Sequence, residues 1–328
     1  MKRIYAVEIV GRVGESMTLS GWVHVRRNLG KIAFFDLRDR SGLAQIVCVP
    51  AELDADSNAV VSELRAEYCL QVEGVVQKRS GKQINPELPT GEYEVLAKKI
   101  IILNRSEVPP FEIADEDRRA NEELRLKYRY LDLRHQRLQK NLELRHRVTK
   151  FFRDYLSAAG FWEIETPILT KGTPEGAREF LVPSRVHSGK FFVLPQSPQQ
   201  FKQLLMVAGV EKYFQIARCF RDEDQRGDRQ PEFTQLDMEM SFVEQEDIMS
   251  LVEAMLIALV KTVTPEKRIQ QIPFPRIPYK EAMEKYGSDK PDIREDKNDP
   301  NLLAFCWVVD FPFFEKTEDG GWTFTHNP

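Results

Sequence analysis

The stretch Arg218-Cys219-Phe220-Arg221-Asp222-Glu223-Asp224-Gln225-Arg226-Gly227-Asp228-Arg229-Gln230-Pro231-Glu232-Phe233 packs alternating charge between two apolar runs, 212–217 and 233–242. That pattern predicts a strand, a long charged loop and an antiparallel strand returning. A loop so rich in arginine and carboxylate is costly in a core. It suits the lining of a cleft, where an arginine forks onto phosphate or carboxylate oxygens. It also suits a surface hairpin knit by salt bridges. On the return strand Asp237 and Glu239 alternate with Leu236, Met238 and Met240, so both carboxylates are expected on one face, as a polar floor beside the loop.

Working outward, Leu194-Pro195-Gln196-Ser197-Pro198-Gln199-Gln200-Phe201-Lys202 begins with a Ser-Pro helix start and continues as an apolar stripe. Gln199 and Lys202 lie three apart and share a helix face. An amide and a lysine at the start of a helix make a carboxylate site, although an exposed lysine there would also be ordinary. Upstream, Thr173-Pro174-Glu175-Gly176-Ala177-Arg178-Glu179-Phe180 reads as a mobile loop carrying Glu175 and Arg178. The chain holds no G-x-x-x-x-G-K-[ST], no G-x-G-x-x-G and no G-x-S-x-G. A nucleotide would therefore not be held by the usual loop-and-helix cradle. The five histidines are scattered and make no metal pair.

Residues 1–104 are β-rich, with runs at 17–24, 31–36, 44–49, 68–76 and 93–103 and one helix expected over 52–67. Five strands with a helix after the third is the order of an OB-fold, a barrel that often binds oligonucleotides. Pro109-Pro110 then stops regular structure, and a dense charge run follows. Between Asp115 and Arg153 stand 12 Lys/Arg against 7 Asp/Glu, which fits either a solvated helix face or contact with an RNA backbone. A long helix is predicted over 136–159, stopped by Gly160, and another over 247–263. Residues 265–278 read as irregular, 287–300 as a loop, and 305–311 as a buried strand. The expected division is therefore 1–104, a hinge over 105–134, and a third region over 135–328.

Composition excludes little else. The 328 residues carry a net charge of −4, with 20 Phe, 9 Tyr and 4 Trp to build cores, so disorder throughout is excluded. No apolar run approaches the roughly 20 residues that span a bilayer, and the N-terminus lacks a signal-peptide pattern. The four cysteines form no Cys-x-x-Cys, which fits a reducing, cytoplasmic setting.

Taken together, these segments resemble class II aminoacyl-tRNA synthetases, and within them the bacterial-type aspartyl-tRNA synthetases. Residues 151–167, ending Gly160-Phe161-Trp162-Glu163-Ile164-Glu165-Thr166-Pro167, look like motif 1. Residues 220–242 look like motif 2, and Lys127-Tyr128-Arg129-Tyr130-Leu131-Asp132-Leu133-Arg134 looks like the hinge. The resemblance implies an α+β protein: an N-terminal OB-fold β-barrel for the anticodon, then a class II catalytic domain. It implies ATP-dependent activation of L-aspartate to aspartyl-adenylate and transfer to the 3′ end of aspartate tRNA. Arg221 would be the catalytic cation, contacting both ATP and aspartate. Asp222, Glu223 and Gln230 would complete the ATP site. Glu175, Gln199, Lys202, Asp237 and His326 would hold aspartate. Arg27, Phe34 and Gln45 would read the anticodon. ATP and Mg²⁺ are the implied cofactors, motif 1 implies a homodimer, and no membrane partner is implied.

The family pattern also sets expectations by contrast. The insertion domain that follows a string like 286–294 is missing here. The chain stops at Thr325-His326-Asn327-Pro328, before the main Mg²⁺ ligand and motif 3, so no metal ligand is expected among these residues. The catalytic domain is thus expected to be C-terminally incomplete, and the chain alone to show little or no aspartate-dependent ATP–pyrophosphate exchange. The rival reading is a non-catalytic, RNA-binding synthetase paralogue. Retention of Gln199, Lys202, Arg221 and Glu223 argues for the enzyme.

Overall fold

The computed structural model describes residues 2–29, 32–115, 117, 119–173, 175–225, 227–317 and 319–325. The chain divides into two compact units, Met1–Glu143 and Leu144–Pro328.

The first unit is built on a six-stranded sheet. Its strands are β1 (Arg3–Ile4), β2 (Ser16–Leu29), β3 (Ile32–Asp39), β4 (Gly42–Cys48), β5 (Cys69–Lys78) and β6 (Tyr93–Asn104). The order is β1-β2-β3-β4-β6-β5, and a further β2–β5 pairing closes it into a barrel. Alternating residues point inward, and Leu19, Phe35, Ile46, Leu70 and Val72 form its core. Closure brings backbones close: a Cβ at Gly21 would collide with the Arg38 carbonyl oxygen, and one at Gly74 with that of Leu96.

Helix α1 (Ala55–Glu63) is shorter than the expected 52–67. It starts late because Asp54 is its N-cap, accepting from the Ser57 amide at 2.7 Å. It stops early because Leu64 leaves helical geometry, at ψ 127°, and packs into the core; Glu67, at φ 66°, then pairs with Arg38. Beyond the barrel, α2 (Glu122–Lys127) and α3 (Arg129–Asp132) are short. Asn121 caps α2 through the Glu123 amide at 2.7 Å.

Helix α4 (Gln136–Ala158) matches its predicted span closely. It ends in a Schellman turn: Gly160 sits at φ 85°, its amide bonds the Ser157 carbonyl at 3.1 Å, and the Phe161 amide bonds that of Leu156 at 3.0 Å. In the second unit Leu156 and Phe161 pack with Phe214 and Met255. The sheet beneath is β7 (Trp162–Glu163), β10 (Lys212–Phe220) and β11 (Glu232–Met240), in the order β11-β10-β7. Between β7 and β10 come β8 (Leu181–Pro183), β9 (Phe191–Val193) and α5 (Gln199–Val207), and α6 (Gln245–Val263) follows β11. The β10–β11 hairpin is antiparallel throughout, from Lys212↔Met240 to Phe220↔Glu232, as the alternation predicts.

Two expectations change. The run 305–311 is not a buried strand: only Trp307–Val309 is extended, and it is half-buried. Its partner is Arg276–Pro278, in parallel, inside a stretch expected to be irregular. Pairing with a segment some thirty residues away is a tertiary choice that local composition does not show.

Candidate functional site

The β10–β11 register builds the floor of the site. Tyr213 stands opposite Glu239 and Gln215 opposite Asp237, so all four side chains share one face. From α5, Lys202 reaches this face, with Nζ 3.0 Å from Asp237 Oδ1 and 3.3 Å from Glu239 Oε2. The alternation had placed both carboxylates together. That they converge on Lys202 is a fact of packing. Burial pushes the Asp237 carboxyl up, against the opposing pull of Lys202. The Tyr213 hydroxyl donates to Gln215 Oε1 at 2.9 Å, and Thr166 Oγ1 donates to the same oxygen at 3.0 Å. Burial first, and then the Asp237 charge, hold the Tyr213 hydroxyl protonated far above the ordinary tyrosine range.

Arg221 leaves the end of β10. Its amide bonds the Pro231 carbonyl at 2.8 Å across the hairpin. Its guanidinium lies 5.1 Å from the Phe233 ring centre, while Nε is buried and makes no hydrogen bond. A buried, unpaired guanidinium nitrogen is costly unless an anion completes it. Arg221, Glu223 and Gln230 line a cleft of about 910 Å³, together with Arg145, Arg218 and Phe233. Asp222 is not among the lining residues, and its amide donates to the Arg178 carbonyl at 2.9 Å.

Glu175 and the residues after it, through Phe180, meet the segment before α5. Glu175 accepts from Ser197 Oγ at 2.7 Å and from Thr173 Oγ1 at 2.9 Å. Gln199 opens α5, one turn before Lys202, and its amide faces Ser197 Oγ at 3.3 Å. Cys219 reports that these parts converge. Burial pushes its thiol up to about 11, Arg221 opposes that shift, and Asp237 and Glu175 add to it. His326 lies outside the described residues. Sequence alone does not single out Arg145, Gln215 or Cys219. Arg145 sits in an ordinary helical charge pattern, yet it donates to Thr234 Oγ1 at 2.9 Å on the cleft wall.

On the barrel, Arg27 stands opposite Phe34, Phe34 opposite Val47, and Asp36 opposite Gln45. Alternation therefore puts Arg27, Phe34 and Gln45 on one outer face, away from buried Phe35. Arg27 pairs with Asp36 at 2.9 Å, and Gln45 donates to Glu94 Oε2 at 2.9 Å. Burial pushes the Asp36 carboxyl up, against Arg27 and Arg79. Those carboxylate partners, absent from the sequence reading, hold the two polar side chains in place.

Residues 121–328 match the family described as "tRNA synthetases class II (D, K and N)". The chain belongs to that family. Residues 17–103 match the OB-fold nucleic acid binding domain, so this class II synthetase chain carries both folds that its segments resembled. It is 58% identical over 288 residues to the aspartate–tRNA(Asp/Asn) ligase of Halothermothrix orenii, covering 86% of this chain and 47% of that protein. It is 51% identical over 309 residues to the aspartate–tRNA ligase of Staphylococcus carnosus, covering 94% and 52%. The chain thus spans about half the length of the curated relatives it matches. Among solved structures, asparaginyl-tRNA synthetase of Pyrococcus horikoshii with asparaginyl-adenylate superposes with a TM-score of 0.73, at 26% identity, over 87% of this chain and 66% of that one. Class II synthetases in general use ATP and Mg²⁺. Among the described residues of this synthetase chain, no helix is long and apolar enough to cross a membrane.

Proposed function

We propose that the chain carries the aspartate-activating and anticodon-reading parts of an aspartate–tRNA ligase. The observation that carries this reading is the buried, unpaired Nε of Arg221, taken with the lysine–dicarboxylate set on the β10–β11 face. An arginine with one nitrogen unsatisfied fits a phosphate or carboxylate oxygen. Lys202, held between Asp237 and Glu239, fits the side-chain carboxylate of L-aspartate, and Asp237 fits its ammonium group. Gln199 and Glu175 complete that pocket, and His326 is assigned to its carboxylate side. Glu223 and Gln230 are assigned to the adenosine end of ATP, and Asp222 to the ATP site.

In this reading an α-carboxylate oxygen of aspartate attacks the α-phosphorus of ATP. The bond to the bridging oxygen breaks and pyrophosphate leaves, giving aspartyl-adenylate. Arg221 offsets the negative charge that develops at that phosphorus. No protein nucleophile is required, because holding both reactants in one cleft supplies most of the advantage. Among the described residues no group of three or more His, Cys, Asp or Glu side chains could hold a metal ion, and no step is assigned to Mg²⁺.

The barrel face of Arg27, Phe34 and Gln45 is assigned to the anticodon of aspartate tRNA, with Phe34 as the stacking ring. In this assignment 1–104 reads the anticodon, 105–134 is the hinge and 135–328 is catalytic. The protein works in the cytoplasm as a homodimer through motif 1. Equilibrium binding tests the reading directly. Phe34→Ala is expected to weaken filter binding of aspartate tRNA by about ten- to a hundredfold, the worth of one stacked base. Arg221→Ala is expected to weaken ATP binding at least tenfold in calorimetry, as loss of a charge-assisted contact does. Unchanged affinity for both ligands overturns the assignment.

A further inference from the structure

Gln196 belongs to no ligand pocket described above, yet it is only 2% exposed. Its carboxamide is engaged at both ends by a single residue of the Glu175 loop. Oε1 accepts from the Ala177 amide at 2.9 Å, and Nε2 donates to the Ala177 carbonyl at 3.0 Å. This paired geometry imitates one rung of a β-ladder, made by a side chain. Neighbouring bonds tie the same segment to the rest of the site. The Pro195 carbonyl accepts from the Phe220 amide at 2.9 Å, one residue before Arg221. Ser197 holds Glu175 at 2.7 Å, and α5 begins at Gln199 with Lys202 on its first turn.

The geometry points to Gln196 as the positioning residue that sets where the 175–180 segment rests. It touches no substrate in this assignment and acts through Ala177 on Glu175. A second brace works at the loop's entry, where Glu179 Oε1 accepts from the Thr173 amide at 2.8 Å. A Cβ at Gly172 would meet Glu179 Oε2 at 2.7 Å, so the chain passes tightly there. The two braces share the work unequally. Glu179 holds only an amide, whereas Gln196 must offer a donor and an acceptor at once. Among side chains of this size only a carboxamide does both at every pH. The inference rests on the assignment of Glu175 to the aspartate pocket.

That chemical requirement supplies the test. In Gln196→Glu an ionised carboxylate still accepts from the Ala177 amide but faces the Ala177 carbonyl with a second acceptor. Protonation restores a donor. Burial and the carbonyl both push that new carboxyl above the ordinary value of about 4.3. In the full chain, hydrogen-exchange protection of the Ala177 amide and calorimetric binding of L-aspartate are measured at pH 8 and pH 5.5. Each is compared with the unaltered chain at the same pH.

Gln196→Glu is expected to lose protection and to bind aspartate about tenfold more weakly at pH 8, the worth of roughly one buried charge-adjacent hydrogen bond. At pH 5.5 both are expected to recover, with affinity within about threefold of the unaltered chain. Gln196→Met is expected to be impaired equally at both values, because it holds no proton to regain. A merely structural role would not give pH rescue confined to the glutamate variant. Unchanged Ala177 protection in Gln196→Glu at pH 8, or lost protection with unchanged aspartate affinity, overturns the inference. If the unaltered chain binds no aspartate, the pocket assignment fails, while the exchange measurement still decides whether Gln196 holds the loop.

Discussion

Two ion-pair sets in this molecule use the same chemistry to different ends. In the barrel, Arg38 forks onto Glu67 at 2.8 and 2.6 Å, with both side chains at most 7% exposed. Arg134 joins the same carboxylate and lies 5.1 Å over the Trp22 ring, and Arg38 also donates to His24 Nδ1 at 3.0 Å. The carboxylate and its two guanidinium partners complete one another. In the second unit Lys202 stands between two carboxylates, Glu239 is 29% exposed, and Arg221 keeps an unpaired nitrogen. The first set is closed and has nothing left to offer a ligand. The second is left open, and an open set of charges is what a binding site requires.

Removing one partner breaks this comparison most directly. Glu67→Ala leaves Arg38 buried without its carboxylate, so a stability loss of about 3–5 kcal/mol is expected from urea unfolding. A loss below 1 kcal/mol would mean the barrel pair is no more closed than the other.

A smaller effect concerns His24. Burial, helped by the Arg38 charge, lowers its pKa from 6.5 to about 4. The unfolded chain takes up that proton near 6.5, whereas the folded chain does so only near 4. Stability is therefore complete above 6.5 and falls as pH drops from 6.5 towards about 4. His24→Gln is expected to flatten the urea midpoint across that window, and an unaltered slope would refute the assignment to this group.

The smallest effect has the opposite sign to the first. Burial raises the Asp237 carboxyl above its ordinary 3.8, so stability is lost as pH rises from 3.8 to the raised value, and the full loss stands above it. Asp237→Asn removes that cost and leaves Lys202 its contact with Glu239. A slightly higher midpoint is expected, by less than about 1 kcal/mol. A loss as large as that of Glu67→Ala would show the two sets to be equivalent.

Much of this contrast was hidden in the linear chain. The alternation around Asp237 and Glu239 placed them on one face, and the spacing of Gln199 and Lys202 placed that pair at a helix start. Both are short-range periodic signals. From the sequence Glu67 reads as the tail of a helix, because nothing near it shows that Arg38 and Arg134 claim its carboxylate. Gln196 was visible only as part of a motif string. Its partner Ala177 has no side-chain polarity to betray the contact.

The sequence by itself determined the class of each part: five alternating strands with a helix after the third, a charged hairpin, and helices ended by glycine. These follow from periodicity and backbone preference, which act within a few residues. Only the tertiary structure decided which charges are satisfied and which stand open. Arg38 and Glu67 are 29 residues apart, Lys202 and Asp237 are 35 apart, and the electrostatic state of each depends on burial and on partners that only folding brings near.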